Sequence, residues 1–261
     1  MKIITAVLVL GLIVSAAGAA VTPDKLVLYF SFDGGEGNLV KDLSKEGNDG
    51  EIQGGAEWSK EGKYGQALKF NGVDSFVLVP TSPSLEIDTE LTVMAWIKWV
   101  DSGDAWLCVM SSGHQSPLKE NYGMFIKRAE RYLYFLLDLD NVYTRHQAPN
   151  GSTEPDVWQH FCGTYDGDTA RIYADGEIVF EAKSGLPLTS PGLDLRIGYR
   201  EGSTHYFSGL IDEVAIFEKA LTQDEIRAAM TGLEAALEPA GKLSTCWGSI
   251  KTSRFTEGRI E

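Results

Sequence analysis

Three carboxylates stand at alternate positions in Glu86-Ile87-Asp88-Thr89-Glu90. Residues two apart in an extended strand share a face, so Glu86, Asp88 and Glu90 would project together. A retaining glycoside hydrolase needs two carboxyls about 5–5.5 Å apart, one as nucleophile and one as acid/base. The same segment also reads as a charged connection, because Pro80 and Pro83 lie just upstream and suit a loop. None of the four histidines, His114, His146, His160 and His205, stands at H-x-x-x-H spacing, so no zinc helix is implied. Gly34-Gly35-Glu36-Gly37 lacks the strand–loop–helix context of a phosphate loop.

A second chemistry needs aromatic rings beside hydrogen-bonding groups. A ring stacked on the apolar face of a sugar excludes water, and a neighbouring Arg or Asn pairs with hydroxyls. Two long connections, residues 101–121 and 138–155, carry such groups, and binding residues favour loops on a rigid scaffold. Trp106, Tyr122, Tyr143 and Arg145 are expected to form one ligand patch if both connections flank the same end of a sheet. His114, Asp140, Asn141, His146, Tyr199, Arg200, His205 and Tyr206 are further loop candidates. The competing expectation is that Trp106 and Tyr143 are core, as Trp96, Trp158, Phe70 and Phe217 are taken to be.

The elements that must position these groups are short strands broken by Gly, Asp and Asn turns. Residues 26–32, 67–70, 76–79, 91–99, 122–126, 132–137, 158–165, 170–173, 178–182, 193–198 and 210–217 read as strands. Residues 67–70 and 76–79 flank Asn71-Gly72-Val73-Asp74, which predicts a hairpin. In residues 91–99, Leu91, Val93, Ala95, Ile97 and Trp99 share one face; Thr92, Met94, Trp96 and Lys98 share the other. One helix is marked by the capping box Thr222-Gln223-Asp224-Glu225, with Leu221 and Ile226 as its hydrophobic staple. Ile226, Met230, Leu233 and Leu237 extend its apolar stripe until Pro239 and Gly241. Many short strands with one short C-terminal helix predict an all-β antiparallel sandwich or barrel.

Composition narrows the partners. There are 23 basic against 37 acidic residues, for a formal charge of −14. Such a surface disfavours nucleic acid and anionic membranes. Lys2, an apolar run over residues 3–14 and the small residues Ala17-Gly18-Ala19 form a secretory leader at residues 1–20. That run is too short to span a membrane, and no later stretch is apolar enough, so the expected location is secreted, extracellular or periplasmic. One domain is expected over residues 21–238, followed by a linker or tail at 239–261. Of the three cysteines, Cys108 and Cys162 read as small core residues; a disulfide between them is open, and the odd count leaves at least one thiol unpaired. Cys246 lies in the tail.

Several segments in order resemble a known family. They are Tyr29-Phe30-Ser31-Phe32-Asp33, Tyr64-Gly65-Gln66-Ala67-Leu68-Lys69-Phe70-Asn71-Gly72 and Leu91-Thr92-Val93-Met94-Ala95-Trp96-Ile97. Trp158-Gln159-His160-Phe161, Ile172-Tyr173-Ala174-Asp175-Gly176 and Gly209-Leu210-Ile211-Asp212-Glu213-Val214 follow. Together they resemble the laminin-G-like jelly rolls of the concanavalin A-like lectin/glucanase superfamily, in bacterial secreted form. The resemblance implies a two-sheet antiparallel jelly-roll sandwich. It also implies a structural calcium between the first and last strands, held by Asp33 and Asp212 with backbone oxygens from the loop Gly47-Asn48-Asp49-Gly50. Calcium takes six to eight oxygen ligands, which an acidic exported chain can offer. Glu213, of opposite strand parity, is not expected as a side-chain ligand. The functional expectation is a non-enzymatic binding module for carbohydrate or a cell-surface protein. The alternatives are a jelly-roll glucanase using Glu86, Asp88 and Glu90, and an adhesive domain with no glycan ligand, since this fold hosts several functions.

Overall fold

The computed structural model describes residues 25–102, 105–114 and 119–233. The leader at 1–20, Leu237, Cys246 and the tail at 239–261 lie outside the described residues, which contain no helix long and apolar enough to cross a membrane. Numbered in chain order, one sheet holds β1 (Leu26–Phe30), β4 (Glu57–Ser59), β5 (Ala67–Asn71), β7 (Leu91–Trp99), β12 (Gln159–Tyr165), β13 (Thr169–Ala174), β14 (Glu177–Lys183) and β16 (Ser208–Phe217). The other holds β2 (Leu39–Val40), β3 (Gly50–Gln53), β6 (Phe76–Val79), β8 (Trp106–His114), β9 (Lys119–Lys127), β10 (Tyr132–Leu139), β11 (Val142–Gln147) and β15 (Leu195–Ile197).

The first sheet runs β14-β13-β12-β7-β16-β5-β4, with β1 also on β16; the second runs β11-β10-β9-β8-β15-β6-β3-β2. All the pairings are antiparallel, as in a concanavalin A-like jelly-roll sandwich. The alternation in β7 decides its facing. Leu91, Val93, Ala95, Ile97 and Trp99 join the main core between the sheets. Met94, from the other parity, joins a second cluster on the outer face. That cluster is roofed by helix α1 (Gln223–Ala229), whose capping box forms as its sequence predicts: the Thr222 hydroxyl accepts from Glu225 N, and the Glu225 carboxylate accepts from Thr222 N.

Three expectations are corrected. β5 and β6 do not form a hairpin, because they lie in different sheets. Between them, the Asn71 side-chain oxygen accepts from the backbone N–H of Val73, Asp74 and Ser75, and this knot turns the chain across the sandwich. The helix ends at Ala229 rather than near residue 238. Gly232 then takes φ +106°, off the helical path, while Leu233 still reaches the cluster under the helix. Cys108 and Cys162 are buried free thiols. They belong to separate clusters on different sheets, so no disulfide joins them.

Candidate aromatic binding site

The outer face of the second sheet carries a depression of about 300 Å³ lined by Trp106, Phe125, Tyr134, Tyr143, Arg145, Arg200 and His205. Strand parity builds most of it. In β9, Tyr122, Met124 and Ile126 turn into the main core, which sends Phe125 outward. Phe125 pairs with Tyr134 of β10, and the two rings meet at 5.8 Å. Tyr143 and Arg145, two apart on β11, share that face. Gly123 leaves room for Phe125, since a Cβ there would sit 2.5 Å from its ring. Trp106 opens β8 and stands edge-on to Tyr134 at 5.4 Å and to Tyr132 at 6.0 Å. The loop after β15 folds over from the other side and delivers Arg200 and His205.

The floor is an ion pair. Arg200 Nε donates to Glu120 Oε1 at 2.9 Å and Nη2 donates to Oε2, a bidentate clamp. The Glu120 side chain is fully buried and that of Arg200 nearly so. The Ser111 hydroxyl donates to Glu120 Oε1 at 2.7 Å, and Arg200 also donates to the Tyr143 hydroxyl. Burial lowers the pKa of Arg200, but its bonds to Glu120 hold it above the ordinary arginine value. Burial pushes Tyr134 up to about 12 and raises Tyr143 as well, where the negative Glu120 adds to the effect. Both phenols are therefore neutral hydrogen-bonding groups.

Of the four residues expected to form a patch, the structure brings together Trp106, Tyr143 and Arg145. Tyr122 is the correction: it is fully buried in the core between the sheets. His146, another loop candidate, is also buried, against Phe135 and Phe180. The supposed loops are partly strand, since β8 and the start of β9 lie in the first and β11 lies in the second. Phe125, Tyr134 and Glu120 were not singled out from sequence. Their signal was the alternation in residues 120–126 and 132–136, which could not say which parity faces outward.

The carboxylates 86–90 do not form a strand. Pro83–Leu85 is a short 3-10 turn, and Glu86, Asp88 and Glu90 that follow are exposed. Glu90 accepts from Ala220 N at 3.2 Å, and Glu86 lines a different surface groove with Lys25, Lys45 and Glu218. Glu86 and Glu90 thus take different neighbours, and none of the three lines the aromatic depression.

Two of the residues expected to hold a metal bond to one loop. Asp33 and Asp212 converge on the loop 63–66: Asp33 accepts from Gln66 N at 2.7 Å, and Asp212 accepts from Lys63 N and Tyr64 N at 2.8 and 3.1 Å. Gly65 permits this closure, because a Cβ there would lie 2.0 Å from the Asp33 carboxylate. Burial pushes Asp212 up to about 7 against three backbone N–H donors, and the charge of Asp33 adds to the rise. A cation between two such carboxylates would fit this charge distribution. The Asn48 side chain is already engaged, since its amide oxygen accepts from the Ser82 hydroxyl at 2.6 Å and its amide nitrogen donates to Val27 O and Ser84, which leaves the backbone oxygens of its loop as the groups it could offer a cation. Glu213 sits in a β-bulge with φ +50° and accepts from the Tyr29 hydroxyl at 2.7 Å. Among the described residues no three His, Cys, Asp or Glu side chains group as metal ligands, so any calcium would depend on backbone oxygens and water for the rest of its shell.

Similar folds appear in solved structures of binding domains. The binding domain of Paraclostridial Mosquitocidal Protein 1 is 15% identical, with a TM-score of 0.63 over 78% of this chain and 51% of that one. The binding domain of botulinum neurotoxin DC in complex with SialylT is 14% identical, with a TM-score of 0.63 over 81% of this chain and 52% of that one. This chain thus spans about half the length of those toxin domains. Domain 4 of AbnA, a GH43 extracellular arabinanase from Geobacillus stearothermophilus solved with arabinotriose, is 19% identical, with a TM-score of 0.57 over 78% of this chain and 97% of that one. At these identities the likeness is one of fold. No curated protein matches the chain by sequence. The Laminin_G_3 model of the concanavalin A-like lectin/glucanases superfamily matches residues 71–227, and the chain belongs to that family.

Proposed function

We propose that this protein is a non-enzymatic carbohydrate-binding module and that the depression on the second sheet is its glycan site. The observation that carries the reading is a half-exposed Trp106 and Tyr143 set around a floor fixed by the Arg200–Glu120 pair. Rings of this kind cover the apolar face of a sugar, while the guanidinium and carboxylate give rigid donors and acceptors for hydroxyls. The arabinotriose and SialylT complexes of similarly folded domains support the reading. A glycan array followed by calorimetry on the best ligand tests it. Trp106→Ala should cost about 1–2 kcal/mol of binding and little stability. An array on which the wild type retains no glycan would sink the reading. Release of reducing ends from β-glucans or galactans would replace it with an enzymatic one, in which Glu86→Gln should abolish turnover.

The reading includes export and a structural calcium. Recovery of a mature chain beginning near residue 21 from the culture medium would support export; a retained leader would argue against it. Asp33 and Asp212 would hold the ion, which would offset the cost of burying the Asp212 charge. A cation bound only by the folded state adds about 2.7 kcal/mol at a hundredfold excess over Kd. EDTA should therefore lower Tm, and Asp212→Ala should remove that sensitivity. An unchanged melting curve and no co-purifying metal would leave the two carboxylates as anchors for the loop 63–66.

A further inference from the structure

We infer that the glycan taken by this depression is acidic, a sugar bearing a carboxylate; the inference rests on the glycan-binding reading and narrows it. The argument is one of local charge. The chain as a whole carries 37 acidic against 23 basic residues, yet two cations stand beside the depression, Arg145 in its lining and Lys127 over the Trp106 ring. The arginines around it are matched to the acids around it: Arg200 to Glu120, Arg128 to Asp101 at 2.8 Å and Arg196 to Glu201 at 2.9 Å. Lys127 and Arg145 have no carboxylate partner among the described residues. Both are instead held against the ligand-facing rings. Lys127 Nζ lies 4.6 Å from the centre of the Trp106 ring, and the Arg145 guanidinium lies 5.3 Å from that of Tyr143. A cation placed on a ring face is positioned by the ring quadrupole without being neutralised. Arg145 is exposed, and its planar fork suits a carboxylate held by two parallel N–H bonds.

The floor reinforces the sign. Glu120, the carboxylate beneath the depression, is fully engaged by Arg200 and Ser111, so its charge is compensated where a ligand would sit. A neutral sugar would use the rings and hydrogen-bonding groups and leave the charges of Lys127 and Arg145 unmatched. A carboxylated sugar would stack in the same place and pair with them. The overall negative charge would repel such a ligand at long range, so the attraction must come from this patch, within about one Debye length, roughly 8 Å at physiological ionic strength.

Calorimetry with matched probes tests this: galactotriose against tri-galacturonate of the same linkage, and lactose against 3′-sialyllactose. In at least one pair the acidic member should bind about tenfold tighter at low salt, with the advantage shrinking as salt is raised. In the double variant Lys127→Gln/Arg145→Gln the acidic and neutral members, each measured on that variant, should bind with about equal affinity, whatever the change in the neutral member's own affinity. Trp106→Ala should weaken both members together. Equal or weaker binding of both acidic members overturns the inference and leaves the glycan reading standing. A preference that survives in the double variant overturns the assignment to these two residues. Failure of every probe, acidic and neutral, together with a blank glycan array, overturns the glycan reading and this inference with it.

Discussion

On the outer face of the first sheet, Leu26, Tyr29, Met94, Cys162, Tyr173 and Phe217 are roofed by Leu221, Ile226, Ala229 and Leu233 of the helix and its flanks. On the outer face of the second, Cys108, Phe125, Tyr132, Tyr134 and Leu136 are covered only in part, by Trp106, Tyr143 and a loop that brings in Arg200. The two faces start from similar aromatic and aliphatic residues. One is closed by a segment with its own apolar stripe and contributes stability. The other is left open at one end, and its covering segment brings a charged side chain instead. The buried polar groups differ in the same sense. Under the first sheet's cover, His160 lies against Trp96 at 5.3 Å and is held neutral, while on the second sheet a full ion pair is buried beside an opening.

The largest expected effect lies on the open face. Arg200→Met leaves the buried Glu120 carboxylate without its counter-charge, and loss of one member of a buried pair costs about 3–5 kcal/mol. Adding Glu120→Met should restore most of the stability, because an apolar pair of similar volume is tolerated there, but glycan binding should stay lost. Urea unfolding and calorimetry on the single and double variants check both parts. A single variant as stable as wild type would erase the distinction drawn between the two faces.

Acid should act next, on the closed face. Burial holds His160 down at about 3, and the positive Lys63 contributes to the depression. An unfolded histidine takes up its proton near pH 6.5 and the folded one does not. The contribution of the neutral ring is therefore complete above about pH 6.5 and lost as pH falls from there toward 3, by up to about 1.4 kcal/mol per pH unit. His160→Gln should flatten that part of the stability–pH curve. Equal slopes for variant and wild type between pH 6.5 and 4.5 would place the acid sensitivity elsewhere.

The smallest effect should come from the helix cap. Thr222→Ala removes the side-chain acceptor for Glu225 N and should cost about 1 kcal/mol. Glycan affinity should not move, because the helix roofs the sheet opposite the depression. A parallel loss of affinity would mean that the two outer faces are coupled through the core.

Much of this was legible before folding was considered. The alternation of Leu91 to Trp99, the capping box at Thr222 and the succession of turn-broken strands are local patterns, and each appears where its periodicity puts it. Three of the four residues expected in one patch line the same depression, and they stood out because Trp106, Tyr143 and Arg145 are unusual types in otherwise regular surroundings. Tyr122 was misassigned for a physical reason. The strand around it is apolar at both parities, with Tyr122, Met124 and Ile126 facing the core and Phe125 facing out, so alternation alone could not choose the side.

What the residues determine by themselves is therefore most of the strands, though not β2, β3, β4, β8 or β11, together with the antiparallel sandwich and the presence of surplus aromatic groups, because these follow from side-chain periodicity and turn chemistry within a few residues. Tertiary structure decided the rest. It sent β5 and β6 to different sheets, engaged the Asn48 side chain with Ser82 and Val27, and paired Arg200 with a Glu120 eighty positions away. It also decided which apolar face is roofed and which stays open. Each of these depends on which strands become neighbours, and that is fixed by closing the whole core at once.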